Sequence, residues 1–202
     1  MDRIDALRER WPLPQAVTLR EATLARWAEG HRAYHDLRHL SEVLAALDLL
    51  AEAGADVLQV RLAAWFHDAV YDVHAVDNEQ QSAALAEQEL ASIVDATVVG
   101  EVARLVRITA SHECGEADVN APVLCDADLS ILGSDPGRYA EYASDVRQEY
   151  AHVADSDFAS ARISILQGFL GRTTIYSTKV ARDWWERPAR ANIGVEIEGL
   201  QG

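Results

Sequence analysis

The chain has 202 residues, 49% hydrophobic and 25% charged, enough for one domain with a substantial core. Its 18 basic against 33 acidic residues leave a net charge of −15 with no basic cluster, which argues against a nucleic-acid duplex or an anionic membrane surface as partner. No apolar run approaches a ~20-residue span, no signal-peptide pattern opens the chain, and Cys114 and Cys125 build no disulfide framework, so a cytoplasmic location is expected.

The periodicity predicts helix after helix. Val17 to Gly30 has Leu19, Leu24 and Trp27 on one side. Leu37 to Ala53, closed by Gly54, carries a stripe of Leu40, Val43, Leu44 and Leu47. Val57 to Val70 is apolar almost throughout, and Asn78 to Ala91 is rich in Ala, Glu and Gln. A helix capped by Asp95 or Thr97 runs to about Ser111. The stretch HECGEADVNAPV is the clearest loop. Helices return at Val123 to Leu132, Pro136 to Val153, Phe158 to Leu170 and Lys179 to about Ile197, the last with Pro188 at a kink or restart. Thr173 to Thr178 is the sole candidate strand. The fold class is therefore all-α, a single-domain helical bundle, with residues 1–33 as an N-terminal helical extension and 34–202 as the main domain.

Three apolar stretches carry the chemistry. In WFHDAVYD, His67 and Asp68 follow the run Leu62 to Phe66, where an imidazole and a carboxylate are costly to bury without compensation. A divalent metal would supply it. Adjacent helical residues point about 100° apart, so both reach one ion only from a helix end or a distorted turn. In YHDLRHLSEVL, His35 and His39 share a helix face beside the leucine stripe. In VLCDADLSIL, Asp126 and Asp128 are again acidic groups in apolar surroundings. Taken singly, each is as well read as a capping or satisfied core residue. The order His, His-Asp, Asp on separate apolar helices is what favours a metal.

The wording YHDLRH, then FHDAVYDVHAVDNEQQSA, then CDADLSILG, resembles the HD-domain metal-dependent phosphohydrolases, and within them a bacterial subgroup of predicted hydrolases. The resemblance covers roughly Tyr34 to Asn192. It implies an HD-type helical domain with His39, His67, Asp68 and Asp128 as metal ligands. The family pattern favours Asp128 over Asp126 as the distal ligand, leaving Asp126 a helix cap or an orienting carboxylate. The first His of the YHxxxH element is similar to the general acid of cyclic-nucleotide phosphodiesterases, so His35 is either that acid or a hydrogen-bonding neighbour of the site. Glu79 and His112 are candidates for a second metal or for orienting ligands, although Glu79 stands where two-metal relatives carry a His. One divalent ion is thus expected, with two as the alternative, and Mn, Fe, Co, Ni, Mg and Zn all suit His/Asp ligation.

Among Arg38, Arg147, Arg172, Arg187 and Arg190, Arg147 is the preferred phosphate-binding residue. His74 reads as rim and Asp72 as a cap. The expected function is hydrolysis of a phosphate ester of a small molecule, a nucleotide by preference, by a metal-activated water, with Asp68 and His35 as catalytic groups. The alternatives are an iron-dependent oxygenase on the same scaffold and a nucleotide sensor without turnover.

Overall fold

Residues 2–50, 55, 57–115 and 117–202 are described by the computed structural model. Its centre is the helix Val57–Phe66 (α4), where Val60 and every residue from Leu62 to Phe66 are buried. A helix apolar on all sides must be covered on all sides. Leu37–Leu49 (α3), Ala96–Ile108 (α6) and Asn120–Asp128 (α7) pack around it, and Ala63 and Ala64 are fully buried against these neighbours. Asn78–Leu90 (α5) lies along α6 through Ala83, Ala86 and Leu90. The end of the predicted Leu37 to Ala53 helix, with Gly54, lies outside the described residues.

The N-terminal helices Arg3–Glu9 (α1) and Val17–Trp27 (α2) share this core. Trp11 meets the Trp65 ring edge-on at 4.9 Å, and the Trp27 indole N–H donates to the Trp65 carbonyl at 2.9 Å. After α7 the chain tightens into a 3-10 segment, Leu129–Gly133, and continues as Pro136–Glu149 (α8), Asp155–Gly171 (α9) and Lys179–Gln201 (α10). Helix α10 runs through Pro188 and packs on the 3-10 segment. Among the described residues there is no strand: Thr173 to Thr178 is irregular, and Glu186 accepts from the Ile175 and Tyr176 N–H groups that a sheet partner would have taken. The predicted loop also ends early, because helix α7 begins at Asn120 and takes Pro122 into its first turn, where a missing N–H costs nothing. No described helix is long and apolar enough to cross a membrane.

Gly133 is required by a close approach. A Cβ there would come within 2.8 Å of the Trp185 Cα, on backbone that cannot yield. Gly133→Ala is expected to lower stability by at least ~1–3 kcal/mol, read as a drop in melting temperature, since the added methyl overpacks the α10 seam.

Candidate metal centre

The His-Asp pair sits where helix α4 stops. His67 N–H still donates to Ala63 at 2.9 Å, but Ala69 N–H donates to Phe66 at 3.0 Å in a tighter turn, so both side chains project from the helix end. The buried Arg32 guanidinium holds this turn open-ended: it donates to the Asp68 carbonyl at 2.7 Å and to the His35 carbonyl at 2.9 Å. Asp36 caps α3, accepting from Arg38 and His39 N–H at 2.7 and 3.3 Å, which sets the first turn that carries His39. Asp128 lies at the junction of α7 with the 3-10 segment.

These elements bring four side chains together. His39 Nε2 lies 3.2 Å from His67 Nε2 and 3.1 Å from Asp128 Oδ1. His67 Nε2 lies 3.4 Å from Asp128 Oδ1 and 3.2 Å from Asp68 Oδ2, which is 3.7 Å from His39 Nε2. Ligand atoms bound at ~2.0–2.1 Å with angles between octahedral and tetrahedral stand about 2.9–3.4 Å apart, so most of these spacings are edges of a coordination polyhedron. His39, His67 and Asp128 can hold a metal ion, with their ligand atoms all within 4.8 Å of one another. The His67 Nδ1–H donates to the Ala64 carbonyl at 2.8 Å, which aims the Nε2 lone pair of the neutral ring at the cluster.

The electrostatics favour a cation. Burial alone would lower the His67 pKa, yet the Asp68 and Asp128 carboxylates outweigh it and push His67 well above the imidazole range. Burial opposes ionisation of Asp68 and Asp128 too, but the histidines hold both below the usual carboxylate range. Without an ion, a proton on imidazole compensates two buried carboxylates. A divalent ion meets the same demand with ligand bonds.

His112, on the loop after α6, puts Nε2 2.8 Å from Asp128 Oδ2. Its φ of 53° is the sole positive value at a described non-glycine residue, a conformation that costs a residue with a Cβ about 1 kcal/mol or more and persists only where surroundings impose it. Glu79 lines the same cavity. Asp126 is elsewhere: it accepts from Ser177 and Thr178 N–H at 2.8 and 2.6 Å, fastening the start of α10, and burial raises its pKa. Arg147 is also held away from the cavity, by the Tyr150 and Val153 carbonyls at 2.6 and 2.9 Å and by Asp155 at 2.6 Å. The arginine in the cavity wall is Arg162. Asp72 caps a turn through His74 N–H at 2.9 Å, and His74 is exposed.

Glu149, at the end of α8, is the residue that sequence reasoning missed. Its Oε1 accepts from the Ala33, Tyr34 and His35 N–H groups at 2.9, 2.8 and 2.9 Å. Its Oε2 faces His35 Nδ1 at 2.7 Å and accepts from the Tyr71 hydroxyl at 2.7 Å. Burial works against this carboxylate, but His35 and the backbone donors bring its pKa to about 2. Burial likewise disfavours the His35 imidazolium, and Glu149, then Asp68, more than restore it, so the His35 pKa is raised. Among the described residues only Glu149 bonds the His35 ring, leaving Nε2 to the cavity. Glu149→Ala would strand five donors, at a cost of ~3–5 kcal/mol measurable by denaturant unfolding at neutral pH. The folded-state pKa is depressed, so this contribution is present above the ordinary carboxylate value of 4.5 and fades as pH falls toward about 2.

Comparison of the chain with protein-family models, curated proteins and solved structures gives no match. The geometry of the site therefore carries the functional reading.

Proposed function

We propose that this protein is a metal-dependent phosphohydrolase of the HD type, cleaving a phosphate ester of a small molecule. The observation that carries the reading is the pairing of a metal-competent cluster with a held acid in one cavity: His35 and the cluster residues His39, Asp68 and Asp128 share its wall. A divalent ion held by His39, His67, Asp68 and Asp128 would lower the pKa of a bound water toward neutrality and draw charge from a phosphoryl oxygen.

The chain supplies the rest. Glu149 fixes the His35 ring through Nδ1 and favours the imidazolium, whose Nε2 proton then passes to the departing oxygen as the O–P bond breaks. Deprotonated His35 keeps its Nδ1–H on Glu149, so the ring stays in place between turnovers. Asp68 and Asp128 remain ionised, so the charge that would meet an anionic phosphate is that of the held ion. A screen of phosphate esters against the purified protein, with Mn, Fe, Co, Ni, Mg or Zn added singly, is expected to release phosphate with at least one metal. No release with any of them would overturn the reading.

The His112 to Asp128 contact favours a second ion on the far carboxylate oxygen, with Glu79 in reach of the same cavity. Metal analysis is then expected to give close to two ions per chain, falling to one in His112→Ala. One ion in both proteins would leave His112 an orienting partner. A two-iron protein that consumes oxygen instead of releasing phosphate would be the oxygenase.

A further inference from the structure

A second cavity adjoins the metal cavity. The metal cavity measures about 190 Å³ and its neighbour about 370 Å³, and the two share Tyr34, His35, Tyr142, Arg162 and Ile165 as common wall. The remaining wall of the larger one comes from α8, α9 and the turn between them, with Val146, Tyr150 and Phe158 as its main surfaces. His35 stands at the junction. If the leaving oxygen of a phosphate ester at the metal cluster takes the His35 Nε2 proton, the group bonded to that oxygen lies beside this second cavity.

The charges around the annexe are already matched. Arg162 donates to both Glu196 oxygens at 2.8 and 3.2 Å, with side chains 9% and 10% exposed, and lies over the Tyr142 ring at 5.0 Å. Arg147 lies over the Phe158 ring at 4.7 Å while its donors go to two carbonyls and Asp155. Neither guanidinium is directed at a ligand. A charged leaving group, such as the diphosphate of a nucleoside triphosphate, would enter unmet by a cation. An uncharged flat group would meet the rings of Tyr34, Tyr142, Tyr150 and Phe158 and gain by burial and stacking.

We infer that the cavity between α8 and α9 is the leaving-group site and that it takes the uncharged aromatic portion of an aryl or arylalkyl phosphate ester. The inference rests on the phosphohydrolase reading for the role of His35, and on the cavity walls alone for the chemistry of the occupant.

Binding and turnover test the two separately. Calorimetry on the metal-loaded protein would compare naphthylmethylphosphonate with methylphosphonate, which share a headgroup and differ in the aromatic arm. The aryl compound is expected to bind roughly a hundredfold more tightly, since burying such a ring removes on the order of 100 Å² of apolar surface from water. Ala161 lines the annexe from an exposed position on α9, so Ala161→Trp should fold and narrow the annexe. The preference should then fall at least tenfold. Equal binding of the two phosphonates, no binding of either, or a preference untouched by Ala161→Trp would overturn the site. Aryl binding without hydrolysis of any phosphate ester would keep the annexe and remove the phosphohydrolase reading.

Discussion

Asp128→Asn is expected to strip the protein of most of its metal while leaving the helical content near that of the parent. The carboxylate stands 3.1 Å from His39, 3.4 Å from His67 and 2.8 Å from His112, so no other side chain touches as many of the site's imidazoles. The amide keeps the volume but removes the charge that two buried histidines face. Loss of a residue that merely orients a ligand costs ~10–100-fold in metal affinity, and removing a ligand should cost more. Metal stoichiometry after dialysis, with circular dichroism on the same samples, decides it: full metal in Asp128→Asn would remove Asp128 from the centre. The proton linkage gives a companion result. His67 carries a raised pKa in the ion-free site, so an incoming ion must displace its proton. Affinity in the parent should therefore rise with pH up through that elevated pKa, then level off. An affinity flat from acid to neutral pH would count against His67 as ligand.

His35→Asn should keep the metal and lower turnover by roughly 10²–10⁴-fold. The loss should shrink for p-nitrophenyl phosphate, whose leaving group departs without a proton, relative to an alkyl ester. Equal losses for both would exclude acid catalysis by His35, and loss of metal would make it a ligand. The sign of the pH effect follows from the raised His35 pKa: the acid form persists above the ordinary histidine range, and turnover of alkyl esters declines as pH rises through the raised value. Glu149→Gln removes the main charge that sustains the imidazolium, so the decline should move to lower pH. An unmoved profile would show that Glu149 serves only the backbone.

The His/Asp cluster was legible in the sequence because its residues break apolar surroundings. His39 adjoins a leucine stripe, His67 and Asp68 end a run buried on every side, and Asp128 closes another. Such placements are costly enough to demand a physical reason. Helix α4 ends at Phe66, so the adjacent His67 and Asp68 lie past its last residue, where neighbouring side chains can converge. Glu149 offered no such signal. In VRQEY it has the look of any carboxylate on an amphipathic helix, and its burial arises only when α8 docks on the segment before α3. Arg147 was preferred and Arg162 passed over for the same reason: which one lines the cavity depends on how α8 and α9 face each other, and ARISIL, within the predicted helix Phe158 to Leu170, carries no signal of burial. The strand expected at Thr173 to Thr178 failed because a side chain, Glu186, satisfied the backbone instead.

The Glu149 contact also sets an order of events in the making of the protein. Its partner His35 is 114 residues earlier in the chain. As the polypeptide emerges from the ribosome, the segment that carries the histidines is finished long before the carboxylate that pins it exists. Until α8 is synthesised and docks, three backbone N–H groups near His35 have no acceptor from Glu149, and the ring has only its packing on Tyr34 and Tyr71 to orient it. Closing so long a loop comes late in folding, after the local helices have formed. A partly made chain can gather His39 and His67, but His35 beside them gains its Glu149 partner only once α8 has been made and has docked.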